Sequence, residues 1–433
     1  MLPSPEAGEG GATAPGEGFP IARYISLMVH SIEQLDGLMS ANGQELLARI
    51  TAAEPRPDEL LALGTRLRRD YPADLVAAAL TLHELRQRAA AKFSRAGELW
   101  FTRAGYEQSS SEMAARHRAE RFRGYERIAD LCTGVGGDLI ALAAIAPVLA
   151  VDRDPLHLAI ACANAGVYGV GRAVTGLVAD VREVDLNGID AIFIDPARRE
   201  GGRRLGSVTT EPPLDWCFGL AERVAAVGIK AAPGIDHALV PEGWEIEFVA
   251  DGRDLKESVL WSPALATTSR RATLLPGGET LVVDPGAPVE IRDPGAYLLD
   301  PNPAVTRAGL VEELARAIGA WKIDEQIAFL STSTLVETPF ARTLRIEASL
   351  PWNLKQIAAR LRELDIGAVD LRRRGLAGDV EQIRKRLKLQ GRRRATVAMT
   401  RVRNDPWCFI CVEPHESAIL DKRIDDERSD LDG

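Results

Sequence analysis

Short apolar runs alternate with longer stretches of helical spacing through the middle of the chain. Four of these runs end in an aspartate, namely Asp130, Asp152, Asp180 and Asp195. Such an alternation predicts buried strands separated by helices, and hence an α/β fold with a parallel sheet. Because ligands of these sheets lie at the carboxyl ends of the strands, we expect the four aspartates to face one site.

A glycine-rich loop follows the first of these runs. Gly134 and Gly136 lie just after Asp130 and Cys132, and a helix-like segment comes next. Glycine lets the backbone turn tightly and contact a ligand, which the amides at the helix start then face. A dinucleotide and S-adenosylmethionine both suit this arrangement. Asp130 favours S-adenosylmethionine, because a carboxylate repels an anionic pyrophosphate and attracts the cationic ammonium and sulfonium groups.

Later positions complete the predicted donor site. Asp152 is placed to accept hydrogen bonds from both ribose hydroxyls, and Asp180 to accept one from the adenine amine. An aspartate at a strand end is often only a helix cap, but four in register favour one site. The predicted cofactor-binding residues are Asp130, Cys132, Gly134, Gly136, Asp152, Arg153, Asp180 and Val181.

The stretch from Arg121 to Leu275 resembles the class I S-adenosylmethionine-dependent methyltransferases. DLCTGVGG is similar to their first motif, with Cys132 where a glycine is common, and VDRDP is similar to their ribose-binding motif. VDRDPLHLAIACANAGVYGV resembles the trimethylguanosine-synthase-like branch, whose members methylate guanine N2 in RNA. The resemblance implies a Rossmann-like sheet of seven strands in the order 3-2-1-4-5-7-6. GWEIEFVA and RRATLLP are expected to form its terminal antiparallel pair.

Asp195 and Pro196 stand where members that methylate planar amines resemble one another. Those members have an Asp, Asn or Ser, then two prolines and an aromatic residue. The resemblance gives Asp195 and Pro196 catalytic roles, since their oxygens would accept the amine N–H groups and orient the nitrogen. Here Ala197 replaces the second proline and Arg198 the aromatic residue. Because a guanidinium can stack on a base or pair with a phosphate, Arg198 is a third catalytic candidate.

Without the aromatic residue that would stack on a base, the sequence does not identify the acceptor atom. Aromatic side chains from elsewhere in the chain could supply this stacking platform, although each is more typical of a core. The candidates are Trp100, Phe101, Tyr106, Trp216 and Trp261. Three more arginines of the same loop could stack, bind phosphate or simply be solvated: Arg199, Arg203 and Arg204.

Composition and periodicity divide the 433 residues into five parts. We predict a disordered tail at 1–20, a helical domain at 21–123, a methyltransferase domain at 124–300, a carboxyl-terminal region at 301–414 and a disordered acidic tail at 415–433. Residues 277–303 are expected to be a connector with two short strands possible, and 304–318 a helix. Within the fourth part, about 338–414, the pattern predicts a small α+β domain of order β-α-β-α-β-β.

This small domain resembles the THUMP-like domain found at the carboxyl end of a bacterial methyltransferase group, in which the DPARR sequence also occurs. THUMP domains proper bind RNA, often the acceptor end of tRNA. The charge distribution agrees with an RNA partner. The net charge is −9, yet residues 341–403 contain 17 Lys or Arg and 6 Asp or Glu, which leaves −20 for the remainder. The predicted RNA-binding residues are Arg372, Arg373, Arg374, Arg384, Lys385, Arg386, Lys388, Arg392, Arg393 and Arg394; a solvated charged face is the alternative.

Other chemistries are not indicated. The five cysteines are an odd number and are scattered, and the pair Cys408 and Cys411 has no partner ligands for zinc. The six histidines show no ligand spacing, so we predict no metal. No apolar run is long enough to span a bilayer and no leader is apparent, which predicts a cytoplasmic protein without membrane contact. The sequence does not indicate an oligomeric state.

Three functions remain. The first is an S-adenosylmethionine-dependent methyltransferase that modifies a base amine, with guanine N2 the leading candidate, in an RNA such as tRNA or rRNA. The second is a methyltransferase for a small molecule or a protein, which the missing aromatic residue allows. The third is an RNA-binding protein that keeps the donor pocket as a relic, although intact acids at four strand ends disfavour it.

Overall fold

The computed structural model describes residues 31–198, 210–376 and 379–414, and of Arg198 only the main chain. Both predicted tails, 1–20 and 415–433, lie outside these residues, as do Arg199, Arg203 and Arg204. No helix among the described residues is both long enough and apolar enough to cross a membrane.

The described amino-terminal region is helical, as its spacing predicts. Its helices are α1 (Ile32–Met39), α2 (Ala41–Ala53), α3 (Leu60–Leu67), α4 (Ala73–Ala89), α5 (Arg103–Gln108) and α6 (Glu112–Ala119). Hydroxyl side chains at the N-cap accept amide hydrogens of the first turn in four of them: Ser31, Ser40, Thr102 and Ser111. The apolar faces of α1 to α5 share one core with Val135 of the glycine loop, so this region packs on the predicted donor site.

The central sheet contains the strands that the apolar runs predict. Its elements are β1 (Ile128–Leu131), α7 (Gly137–Ala143), β2 (Val148–Asp152), α8 (Pro155–Val167), β3 (Val174–Val178), β4 (Ala191–Ile194), β5 (Ala197–Arg198), β6 (Thr210–Glu211), α9 (Leu214–Gly219), β7 (Ala226–Ala231), β8 (Glu245–Asp251), β9 (Asp254–Trp261), β10 (Arg270–Leu275) and β11 (Glu279–Val282). β5 and β6 form a separate antiparallel pair, and the others follow the order β11-β10-β8-β9-β7-β4-β1-β2-β3. With β7, β9 and β8 in the fifth, seventh and sixth places, the expected order 3-2-1-4-5-7-6 is confirmed. The expected number of seven strands is wrong, because β10 and β11 extend the sheet to nine.

One predicted strand pair is wrong. β8 pairs antiparallel with β9, whereas β10, which was expected to be that partner, runs parallel to β8. β9 gives no clear apolar signal because its buried part includes Glu257 and Ser258. Glu257 is held by the guanidinium of Arg118, so a buried ion pair replaces the apolar contact that sequence patterns reveal.

The carboxyl-terminal region contains a second sheet. Its elements are β12 (Tyr297–Pro301), α10 (Pro303–Ala308), α11 (Val311–Ile318), β13 (Trp321–Lys322), β14 (Leu330–Thr332), β15 (Ala341–Pro351), α12 (Leu354–Glu363), β16 (Ile366–Arg373), α13 (Val380–Leu387), β17 (Arg393–Val402) and β18 (Asp405–Val412). The predicted β-α-β-α-β-β order is confirmed from β15 to β18, within a seven-stranded sheet of order β13-β14-β12-β15-β18-β17-β16. The helix predicted over 304–318 is two helices, because Gly309 adopts a φ of 66° between them.

Asn164 of α8 joins the amino-terminal region to the glycine loop. It is 1% exposed. Its side-chain oxygen accepts the N–H of Trp100 at 2.8 Å, and its side-chain nitrogen donates to the carbonyls of Trp100 at 3.0 Å and Val135 at 2.9 Å. One amide side chain therefore satisfies three buried backbone groups across two parts of the chain.

We expect Asn164→Ala to lower the free energy of unfolding by about 2–4 kcal/mol, since each buried group left unpaired costs about 1–3 kcal/mol. Chemical denaturation monitored by circular dichroism measures the change. Asn187→Ala, at an exposed position, is the control and should stay within about 0.5 kcal/mol of the wild type. Equal stability of the two variants would contradict the role given to Asn164.

Candidate active site

The glycine loop runs from the end of β1 to the start of α7 and alternates through left-handed backbone conformations. Cys132, Gly134 and Gly136 have φ values of 62°, 58° and 86°. A Cβ atom on Gly136 would lie 3.0 Å from Cα of Ala161, so glycine is also required there by the close approach of α8. Cys132 adopts this left-handed conformation at a cost of roughly 1–2 kcal/mol of strain, which a glycine would not have. This explains why a glycine is common at this position of the motif that the loop resembles.

Asp130 is the last-but-one residue of β1 and lies beneath this loop. Its side chain is buried, with the residue 1% exposed, and its Oδ2 atom has no hydrogen-bond partner within the described ranges. Burial, and next the negative charge of Asp138, raise the pKa of Asp130 well above its usual range. A buried carboxylate without a partner is unfavourable unless a cation approaches it.

Asp152 ends β2 and holds the loop from the neighbouring strand. The N–H of Gly134 donates to its Oδ2 at 2.8 Å, and the N–H of Asp154 donates to its Oδ1 at 2.9 Å. The carboxylate therefore fixes the loop while each oxygen keeps a lone pair for a ligand. Arg153 is exposed beside it.

Asp180 follows β3 at the edge of the sheet. Its carboxylate accepts the N–H of Arg182 at 2.9 Å and pairs with the guanidinium of Arg182 at 3.0 Å. Arg182 also pairs with Glu211 of β6, and the intervening Val181 is buried. The predicted adenine acceptor is thus partly occupied by an ion pair, which a bound adenine amine would have to share.

Asp195 follows β4, next to the end of β1. Its N–H donates to the carbonyl of Leu131 at 3.2 Å, and its side chain is 33% exposed. The ammonium of Lys230 donates to Oδ2 at 2.7 Å, whereas Oδ1 has no hydrogen bond to any described residue. Pro196 is buried and Ala197 exposed. The side chain of Arg198 lies outside what the structure describes, so its catalytic role stays a prediction.

Sequence reasoning did not identify the groups behind Asp195. Lys230 also donates to Oγ of Ser110 at 3.0 Å, and Ser110 donates to Asp138 at 2.9 Å. The guanidinium of Arg118 pairs with Asp138 and Glu257. The one signal for Lys230 is a charge that interrupts the apolar run VGIKAA at a strand end. Ser110 and Arg118 come from the amino-terminal region, and no motif marks them.

Four of the five aromatic candidates are too buried to replace the missing platform. Trp100, Phe101, Tyr106 and Trp261 lie in apolar cores and are at most 9% exposed. Trp216 of α9 is half-buried against the core of the central sheet and stays a candidate for the stacking side chain.

The ten basic residues of the carboxyl-terminal domain separate into two sets. Five form ion pairs: Arg372 with Asp370, Arg374 with Asp300, Arg384 with Glu381, Arg392 with Asp365 and Arg393 with Glu347. Arg374 and Arg393 are also half-buried, at N–O distances of 2.8 and 3.0 Å, so their first role is to hold the fold. Arg373 lies at the end of β16 and is exposed.

Three of the five remaining basic residues lie in a basic groove together with the ion-paired Arg384. The groove is a shallow cavity of about 370 Å³, and the residues that line it are the exposed Arg384, Lys385, Lys388 and Arg394 with Gly367, Ala368, Val369 and Leu389. Lys385, Lys388 and Arg394, and the neighbouring Arg386, form no ion pair with the residues that the structure describes. Unpaired cations on an exposed surface are available to a polyanion.

Comparison with known proteins identifies the family of this chain. Two uncharacterized S-adenosylmethionine-dependent methyltransferases, from two strains of Mycobacterium tuberculosis, are each 36% identical over 339 residues, which is 73% of this chain and 90% of theirs. The chain belongs to the S-adenosylmethionine-dependent methyltransferases. Its cofactor is S-adenosylmethionine. The predicted resemblance is thereby confirmed.

Three family matches divide the methyltransferase chain further. Residues 125–211 match RNA cap guanine-N2 methyltransferases, residues 341–413 match THUMP domain-like sequences, and residues 31–89 match a domain of unknown function. A crystal structure assigned as a methyltransferase from Porphyromonas gingivalis shares the fold, with a TM-score of 0.69 and 21% identity over 86% of this chain and 98% of that one. The described residues contain no group of His, Cys, Asp and Glu suited to a metal ion.

The residues at the strand ends fit the donor of this methyltransferase. Oδ2 of Asp130 is buried and unpaired beneath the glycine loop, where a cationic group of the donor would satisfy it. The dinucleotide alternative would set an anionic pyrophosphate near Asp130, Asp138 and Asp152 without a matching cation.

We expect Asp130→Asn to weaken S-adenosylmethionine binding about tenfold or more, because hydrogen bonds to charged groups contribute about 1.5–3 kcal/mol. The pH dependence should change as well. The raised pKa of Asp130 means that the carboxyl binds a proton at low pH, so wild-type affinity should rise with pH and binding should release a proton. The variant should lack both effects.

Titration calorimetry between about pH 6 and about pH 8.5, in buffers of different ionisation enthalpy, measures both the affinity and the number of protons released on binding. S-adenosylhomocysteine, which lacks the sulfonium charge, is the control ligand. Unchanged affinity and unchanged proton release in the variant would show that Asp130 does not face the donor's charge.

Proposed function

We propose that this methyltransferase acts in the cytoplasm on RNA, where it methylates the exocyclic amine of a base, with guanine N2 the first candidate. The observation that carries the proposal is the Asp195 carboxylate beside the donor loop, with one oxygen held by Lys230 and the other open. The match of residues 125–211 to RNA cap guanine-N2 methyltransferases and the THUMP-like domain support an RNA acceptor. tRNA and rRNA are both candidates.

The reaction needs an amine nitrogen that is held in line with the donor. S-adenosylmethionine, when bound, supplies an electrophilic methyl group on its sulfonium sulfur. Asp195 Oδ1 and the Pro196 carbonyl would accept the two N–H groups, which orients the nitrogen lone pair and localises it. Methyl transfer to the nitrogen held by Asp195 and Pro196 would leave the electron pair of the broken carbon–sulfur bond on sulfur and release one amine proton to solvent water.

We propose that the donor is held by groups other than those that orient the acceptor. Cys132, Gly134 and Gly136 form the glycine loop, and Asp130 and Asp152 lie beside it, with Asp152 binding the ribose hydroxyls. The remaining predicted positions are Arg153, Asp180 and Val181, with Asp180 toward the adenine. Donor binding and acceptor orientation are thus assigned to different strand ends.

The proposal is tested by mass analysis of nucleosides from total RNA of strains with and without the gene. Loss of one methylated nucleoside, restored by the wild-type gene, is expected. Purified enzyme should then transfer labelled methyl groups to RNA from the deletion strain. If all nucleosides are unchanged and no label enters that RNA, the acceptor is a small molecule or a protein, which the absent aromatic platform would favour.

Asp195→Asn should abolish most turnover and spare donor binding, because it removes the charged acceptor of the amine hydrogen bond. Asp152→Ala should instead weaken donor binding, by roughly 1.5–3 kcal/mol, and spare most of the turnover at saturating donor. Calorimetry with S-adenosylhomocysteine and methyl-transfer assays at saturating donor separate the two effects. A similar loss of donor affinity in both variants would refute the division of roles.

The basic groove gives a separate expectation for RNA affinity. Replacing Lys385 and Lys388 by Gln should weaken RNA binding and reduce the slope of log K against log salt by about 0.7 for each lost contact with a single strand. The double variant with Lys355→Gln and Arg362→Gln on α12 loses the same charge from the same domain and is the matched control. Filter binding over a salt series measures both, and equal effects in the two variants would remove the groove from the proposal.

A further inference from the structure

Lys230 is a cation placed inside the acceptor region. It is the last-but-one residue of β7, and its side chain is 16% exposed. The ammonium lies 2.7 Å from Oδ2 of Asp195 and 3.0 Å from Oγ of Ser110. Burial alone would lower the pKa of Lys230, but the carboxylates, first of all Asp195 and then Asp138, outweigh it and raise the pKa. Lys230 therefore keeps its positive charge.

We propose that Lys230 is a positioning residue for methyl transfer, which holds one oxygen of Asp195 so that the other faces the acceptor amine. The inference rests on the proposed role of Asp195. A carboxylate bound through a single oxygen has a fixed plane, and its second oxygen is presented in one direction.

The amino-terminal region completes this arrangement. Ser110 accepts a hydrogen bond from Lys230 and donates one to Asp138 at 2.9 Å. Asp138 is held in turn by Arg118, with a hydrogen bond from Nε at 2.9 Å. Lys230 is thus anchored from β4 on one side and from the segment between α5 and α6 on the other. The charged groups around it are Asp195, Asp138, Glu257, Arg118 and Lys92.

The test compares Lys230→Met, Lys230→Arg and Ser110→Ala in the full chain with RNA from the deletion strain. Lys230→Met should lower kcat about 10- to 100-fold, the range for removing a partner that orients an active-site group, with little change in KM or in S-adenosylhomocysteine affinity. Lys230→Arg should recover most of the loss because it keeps the charge. Lys256→Met, at an exposed lysine of β9, should behave as the wild type.

The separate effects on kcat and KM distinguish positioning from a structural role. Loss of positioning lowers kcat alone, whereas a change in the fold would also alter KM and S-adenosylhomocysteine affinity. Ser110→Ala keeps the charge of Lys230 and should lower kcat only a few-fold. This second variant remains informative if Lys230→Met does not fold.

Two kinds of failure are distinguishable. If the wild type transfers no methyl group to RNA, the proposed acceptor is wrong, and the same variants are compared on the small-molecule or protein acceptor. If the wild type is active and folded Lys230→Met keeps its kcat, the positioning role is overturned. An equal loss of kcat in Lys230→Arg and Lys230→Met would also overturn it.

Discussion

The proposed chemistry of this methyltransferase depends on an excess of negative charge near the carboxyl ends of its first, second and fourth strands. Asp130, Asp152 and Asp195 lie at these strand ends, and Asp138 of α7 and Glu257 of β9 lie behind them. The fixed cations that pair with them are Arg118 and Lys230, and both are committed to the side that holds Asp138, Asp195 and Glu257. Asp130, on the side beneath the glycine loop, has no such partner among the described residues. A cationic donor would stabilise its negatively charged form, since an isolated buried charge is strongly unfavourable.

The same charges explain why the amino-terminal helices belong to the active site. Arg118 and Ser110 lie outside the central sheet, yet they hold Asp138 and Lys230. Asn164 ties the backbone at Trp100 to the glycine loop from the other direction. A methyltransferase sheet without these helices would expose Asp138 and leave Lys230 with Asp195 as its main partner. The helical region therefore supports the proposed donor and acceptor sites through direct hydrogen bonds, and is not a separate module attached to them.

Much of the fold and part of the site could be predicted from sequence, for a physical reason. Asp130, Asp152 and Asp195 end apolar runs, and sheet geometry alone brings such ends together. Cys132 occupies a glycine position, and its left-handed backbone agrees with that. Pairings between distant segments could not be predicted: Lys230 and Ser110 are 120 residues apart. β9 was missed because ion pairing hides its buried face. Counting the basic residues also did not reveal that Arg374 and Arg393 stabilise the fold.

The distribution of charge also restricts how an RNA could approach. For the proposed RNA acceptor, the carboxylates of Asp130, Asp138, Asp152 and Asp195 disfavour a phosphate inside the pocket itself. The unpaired cations of the basic groove on the carboxyl-terminal domain would attract the phosphate backbone instead. A neutral base can enter an acidic pocket at little electrostatic cost, whereas its phosphates stay outside. An acceptor base that leaves the stack, with its backbone held on the THUMP-like domain, would satisfy both constraints. The opposite arrangement, with phosphates in the pocket, would set them against the carboxylates of the proposed donor site.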